Sequence, residues 1–250
     1  MGEPVRYERV GAAAVLTLDR PERRNAVDGP MAEAIARRIR EFESDEGARV
    51  LVVSGADEAF SAGADLEALE TLAPRIGSAE GVLGARLFPA KPAIAAISGW
   101  CLGGGVSLAT WCDLRVAAES ARFGFPDRKW GAPVLDGATD RLAAIVGLGR
   151  ALDLVLTGRE VRAAEALAIG LVTEVVERGR HLARSLELAE LLGGYPQRTL
   201  LADRAGLLED LGLRLERTRD RDRRTLEAVV EDARRGAADY VARKGRRGSS

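Results

Sequence analysis

From Ala93 to Trp111 the chain reads AIAAISGWCLGGGVSLATW, an apolar run, a glycine cluster and a second apolar run. Ala93–Ile97 is a strand and Gly104–Trp111 a helix, so the glycines between them make a strand-to-helix turn. The N–H groups of Gly104 and Gly105 then open a helix N-terminus, where unpaired donors and the macrodipole favour negative charge. Outward from this segment the pattern recurs. Leu114–Ala117 is a further strand, and Arg49–Ser54 (RVLVVS) is a β-rich run that can be buried on both faces. Met31–Phe42 carries apolar residues at 31, 35, 39 and 42, a helical period. Val5–Asp19 reads as two short strands around Gly11, and RPERRNAVDGP then breaks the pattern with Pro21 and Pro30, as an exposed loop would. Strand, helix and strand in repetition predict an α/β core.

Beyond Ala138 the chain is mainly helical, with one further strand expected at Leu171–Val176. Leu208, Leu211, Leu215, Leu226, Val229 and Ala233 fit one helical stripe, interrupted by Thr218 and Asp222 and flanked by arginines. Such a stripe docks either on its own chain or on another subunit, and the pattern does not separate the two. The reading divides the chain into a core, 1–195, and a C-terminal helical region, 196–250, ending in a solvated tail, KGRRGSS.

Composition narrows the function. The 250 residues are 46% hydrophobic and 30% charged, ordinary globular usage that points away from disorder and from a membrane protein. The 37 basic and 38 acidic side chains give a net charge of −1, without the positive field that nucleic-acid binders use. Cys101 and Cys112 lie in apolar surroundings without metal-ligand spacing, which predicts reduced core thiols in a cytoplasmic protein and no metal site. The single histidine, His181, sits far from the glycine clusters, so chemistry that needs several imidazoles is excluded.

A second glycine turn, Phe60–Leu66 (FSAGADL), follows the Arg49–Ser54 strand; Gly63 permits a tight bend and Asp65 begins a helix-like stretch. Alone, either cluster is read as a simple turn, but two strand-to-helix turns can open on one pocket. A pair of amides aimed at one oxygen is what an enolate or a tetrahedral oxyanion requires, a contribution of roughly 3–4 kcal/mol per well-placed donor. Neither cluster continues into Gly-Lys-Ser/Thr, so a phosphate-binding loop is disfavoured.

FSAGADL together with KPAIAAISGWCLGGGVSLATWCDLRVAAESARFGFP resembles the crotonase superfamily, the enoyl-CoA hydratase/isomerase group, and LDRPERRNAVD and GLVTEVV are similar to it too. The resemblance covers roughly residues 5–195. It implies a spiral of repeated ββα units, a C-terminal helical region that assembles homotrimers or dimers of trimers, and an acyl-CoA thioester substrate. Coenzyme A would enter as part of that substrate, with no permanently bound cofactor. It implies further that the thioester oxygen lies between the amides of Ala64 and Gly104, with adenine and pantetheine contacts at Arg24, Ala62, Asp65 and Leu66.

The sequence departs from the resemblance at its carboxylates. Where hydratases of the group carry their first glutamate this chain has Ser107, a neutral hydroxyl that can orient water or substrate but cannot accept the proton by itself. The second glutamate corresponds by spacing to Asp127 in GFPDRKWG, where Arg128 and Lys129 are expected to pair with it and lower its pKa. Asp136, ahead of Gly137, is an expected N-cap and equally a candidate acid/base, because some isomerases of the group place a catalytic Asp on this loop. The expected chemistry is stabilisation of a thioester enolate with Asp127 or Asp136 moving a proton, either double-bond isomerisation or hydratase-like addition of water. The competing expectation is a CoA-thioester-binding protein with little turnover. A serine hydrolase using Ser107 would need His181 beside it, from a region expected to be a remote helix.

Overall fold

The computed structural model describes residues 3–75, 78, 80–85 and 88–247. The chain opens with a hairpin of β1 (Val5–Val10) and β2 (Ala13–Leu18), turned at Gly11 with φ 59°. Helix α1 (Gly29–Ser44) follows, its N-cap Asp28 accepting from Met31 N at 2.9 Å. From there the chain repeats one unit three times, giving a first strand to a large sheet, a second to a small sheet, and then a helical turn. The units are β3 (Val50–Gly55) with β4 (Ala59–Ser61) and a 3-10 segment, Leu66–Arg75; β5 (Ala93–Ile97) with β6 (Trp100–Leu102) and α2 (Gly104–Trp111); and β7 (Leu114–Ala118) with β8 (Arg122–Gly124) and a 3-10 segment, Pro126–Trp130. Helices α3 (Ala138–Thr157) and α4 (Ala163–Ala168), short strands β9 (Val161–Arg162) and β10 (Glu174–Val176), and helices α5 (His181–Gly194) and α6 (Gln197–Arg247) complete it. This is the mixed α/β spiral of ββα units with a helical C-terminal region that the sequence predicts.

The large sheet has the order β1-β2-β3-β5-β7-β10, parallel from β2 onward, and the small sheet the order β4-β6-β8-β9. Side-chain alternation explains the uniformly apolar central strands. Leu51, Val53, Ala95 and Ile97 face the main core with Phe42, Phe60 and Trp111. Val50, Val52, Ile94 and Ala96 face the other side, where α5 covers them through Ala189 and neighbouring leucines.

Three expectations need correction. The loop after β2 is not simply exposed: Asn25 is fully buried, its Nδ2 donating to Ala56 O and Ala59 O and its Oδ1 accepting from Arg20 N, so polar side-chain chemistry stands in for apolar burial. The late strand begins at Glu174 rather than Leu171, because Leu171 and Val172 are buried in the turn that follows α4. The expected tail is helical through Arg247, with Lys244 paired to Glu67; 248–250 lie outside the described residues.

Candidate active site

Strands β4 and β6 are parallel neighbours in the small sheet, so the chain leaves both at the same edge and the two glycine turns meet. Gly63 has φ 91° and Gly103 φ 51°, left-handed conformations that admit glycine readily. A methyl group on Gly63 would stand 2.7 Å from Gly104 N, and one on Gly104 would stand 3.3 Å from Ala64 N, so the two amides lie side by side across bare glycines. Val27 N donates to Gly63 O and Asp65 N to Val27 O, which turns the Ala64 N–H away from that ladder. Gly104 N–H is the first of α2. Neither amide has an acceptor among the described residues, and the positive end of α2 adds to the field between them. Such an arrangement can hold an oxygen on which negative charge develops.

A cavity of about 110 Å³ opens beside these amides. Its wall is mainly apolar, with Leu69 and Leu72 from the 3-10 segment, Val82 and Leu83, Val134 and Leu135, and Leu226 and Val230 from α6. Ser107, Asp127 and Asp136 reach the same wall, so the expected candidates other than the four coenzyme contacts come together in one space.

The 3-10 turn that starts at Pro126 directs Asp127 inward, its carboxylate against Gly103: a methyl there would lie 2.5 Å from Oδ1. Its Oδ2 is buried and has no hydrogen-bond partner in the structure. Burial therefore pushes the carboxyl up to about 6, against smaller opposing effects from its own main-chain N–H and from Arg128. The expected pairing with Arg128 and Lys129 and the expected fall in pKa are thus not what the fold produces. Both basic residues are exposed, and Arg128 leans towards Ala132 O. Ser107 is buried at 4% exposure, and its Oγ is 3.5 Å from Gly103 O, at the limit of a hydrogen bond, which leaves the hydroxyl available to the cavity.

Asp136 is not the N-cap of α3. That position is Gly137, whose N–H goes to Asp222 Oδ2 on α6, while the Asp136 carboxylate accepts from Val82 N and Leu83 N, each at 2.9 Å. Burial raises its pKa and the two amides oppose that shift.

The four coenzyme candidates lie beside the amides but not on the cavity wall. Arg24 is exposed, its guanidinium 5.8 Å from the Trp100 ring centroid; Ala62 N donates to Arg24 O; Leu66 starts the 3-10 segment. The Asp65 side chain is 5% exposed and held by Arg20 at 3.2 Å, with Glu67 N capped on its Oδ1, while its main-chain N donates to Val27 O and its O accepts from Ala68 N. None of the three tryptophans lines the cavity; Trp111 is core and Trp130 packs edge-on against Tyr240. His181 begins α5, which packs on the far face of the large sheet. Among the described residues no cluster suits a metal ion, and no helix is long and apolar enough to cross a membrane.

Sequence reasoning missed Val82, Leu83, Glu70 and Arg234 on the wall. Leu226 and Ala233 belonged to the expected stripe, and Val230, one turn from Leu226, was available by the same periodicity. That stripe docks on its own chain, with Arg234 paired to Glu70 at 3.1 Å across the cavity.

Comparison with known proteins identifies the family. Residues 8–246 match the family model described as enoyl-CoA hydratase/isomerase. A probable enoyl-CoA hydratase of Rhizobium meliloti is 34% identical over 97% of this chain and 96% of its own length. The 2,3-dehydroadipyl-CoA hydratase of Escherichia coli is 33% identical over 92% of both. The crystal structure of carnitinyl-CoA hydratase from Mycobacterium avium superposes with a TM-score of 0.85 at 32% identity, covering 97% of each chain. With its two glycine turns joined at one cavity and residues 8–246 matched, the chain belongs to the enoyl-CoA hydratase/isomerase family, within the crotonase superfamily.

Proposed function

We propose that this chain moves the carbon–carbon double bond of an enoyl-CoA thioester, using Asp127 as its one acid/base group. The thioester oxygen accepts from Ala64 N and Gly104 N. Asp127 takes a proton from C2 of a 3-enoyl chain, the electron pair moves into an enolate held by the two amides, and the protonated Asp127 returns the proton at C4 to give the 2-enoyl product. No water enters the balance. The observation that carries the reading is Asp127 Oδ2, buried on the cavity wall without a partner and next to Gly103. A binding protein without turnover has no use for a carboxylate so costly to bury. Ser107 orients the reacting groups through its hydroxyl. In place of a second carboxylate it slows hydration, by a factor of about 10²–10⁴ for lost general acid–base help.

Coenzyme A is part of the substrate, and a thioester seated at Ala64 lays its nucleotide arm over Arg24, Ala62, Asp65 and Leu66. The chain forms trimers or dimers of trimers, a reading supported by Leu148, Leu152 and Leu156, which recur every fourth residue on α3 at 67%, 47% and 68% exposure. The names of the relatives favour a second reading, addition of water to a 2-enoyl-CoA. One assay separates the two. With 3-hexenoyl-CoA and crotonyl-CoA as substrates, bond migration should exceed hydration; Asp127→Asn should lose it by a factor of about 10²–10⁴, and Ser107→Glu should gain hydration. Hydration dominant in the unmodified protein establishes the second reading instead.

A further inference from the structure

We propose that Asp136 is a positioning residue that sets the length of acyl chain the cavity accepts, by clamping the main chain of Val82 and Leu83 as its wall. The inference rests on the reading of the cavity as an acyl-thioester site. Asp136 is 4% exposed and sits at φ 58°, a conformation that few side chains other than Asn and Asp adopt without strain. Its two carboxylate oxygens each accept from one of two consecutive main-chain amides, Val82 N and Leu83 N, at 2.9 Å. Charge-assisted bonds of this kind hold a backbone firmly.

Beside this clamp, among the described residues, Ser78 Oγ donates to Gly81 O at 3.2 Å and Glu80 pairs with Arg75 and Arg40. The segment's own main-chain bonds, Gly81 N to Ser78 O and Gly84 N to Gly81 O, are both 3.3 Å long. What is held matters to the site. Val82 and Leu83 line the cavity, and Leu83 Cδ1 would lie 2.7 Å from a methyl placed on Gly104, so this side chain rests on the glycine whose amide faces the thioester oxygen. The clamp is itself braced on two sides. Asp136 O accepts from the buried Arg141 at 2.8 Å, and the next residue, Gly137, donates to Asp222 on α6. Each of the two oxygens is engaged by a main-chain N–H, so the carboxylate is fixed in place by the segment it holds.

The test is equilibrium binding of butanoyl-CoA, octanoyl-CoA and coenzyme A by calorimetry, with turnover measured in parallel. Asp136→Asn keeps the volume and tolerates the left-handed backbone, but sets an amide NH₂ against one of the two N–H groups. It should weaken butanoyl-CoA about tenfold, weaken octanoyl-CoA less, leave coenzyme A unchanged, and retain the pH profile of turnover that Asp127 imposes. Leu83→Ala should relax the same length discrimination, and combining the two substitutions should add little to either alone. If Asp136→Asn abolishes turnover while binding and discrimination stay as they were, Asp136 is the proton carrier and the proposal falls. If Asp136→Asn does not fold, Leu83→Ala decides, and unchanged discrimination in it overturns the proposal. Failure of the unmodified protein to bind either acyl thioester would instead overturn the reading of the cavity, and this proposal with it.

Discussion

At Asp127 the cost of burial and the proposed use of the group are one property. In water an aspartate ionises near 3.9, and here desolvation moves that to about 6. Proton abstraction needs the ionised form, so turnover should rise with pH through about 6 and level off above it, a limb that Asp127→Asn removes along with the activity. Stability should run the opposite way. Between the unfolded and the folded pKa the native state holds the extra proton, so the stabilisation is present below about 4 and is lost as pH rises through about 6. Denaturant melts at pH 5 and pH 7 check this: the unmodified protein should lose more stability across that interval than Asp127→Asn does, and equal losses would mean that the carboxyl is not desolvated. The position of Asp127 was legible through the resemblance, as the place of the second glutamate. Its electrostatics were not, because sequence proximity to Arg128 and Lys129 suggested pairing and the 3-10 turn sends them to solvent instead. Asp136 shows the same limit, since its partners, Val82 and Leu83, lie more than fifty residues away in the chain.

At the scale of elements, legibility followed local chemistry. Helix α2 was read at its observed bounds because three glycines and a strand fix its start; α1 was read from its apolar period as 31–42 and runs Gly29–Ser44, because Asp28 and Pro30, taken as loop, cap and open it. Strands β4, β8 and β9, of three, three and two residues, are too short to show alternation, and they exist because the neighbouring small-sheet strands complete their ladders. Lys91 illustrates tertiary capping no periodicity reveals: its Nζ donates to Phe42 O, Asp45 O and Ala48 O at the end of α1. Helix α6 is the element with most consequence for the site, because Leu226, Val230 and Ala233 close the cavity from outside the core. Val230→Trp should therefore fill acyl space without unfolding a half-buried helix face, raising KM for hexenoyl-CoA at least tenfold with unchanged far-ultraviolet dichroism. An unaltered KM would place the acyl chain elsewhere.

For the whole molecule, the sequence left intramolecular docking and subunit contact equally open for the C-terminal stripe, and the fold divides the apolar residues between two uses. Leu215, Ala233 and Ala237 are buried against the chain's own core, with Thr218 also buried and Asp222 tied to Gly137, so the polar interruptions of the stripe are part of the docking. Leu148, Leu152 and Leu156 on α3 and Leu207 and Leu213 on α6 remain outside at 47% exposure or more. Leucines spaced by four on one helix form a continuous ridge, and a ridge of that kind in water costs roughly 25 cal/mol for each Å² left uncovered. A second and third copy of the chain are the proposed cover. Sedimentation at micromolar concentration should find a trimer or a hexamer, and Leu148→Asp with Leu152→Asp should shift it towards a smaller species while acyl-CoA binding persists, because the cavity is closed by the chain's own helix. A monomer in the unmodified protein would remove the assembly, and loss of acyl-CoA binding on dissociation would show that a neighbouring copy completes the site.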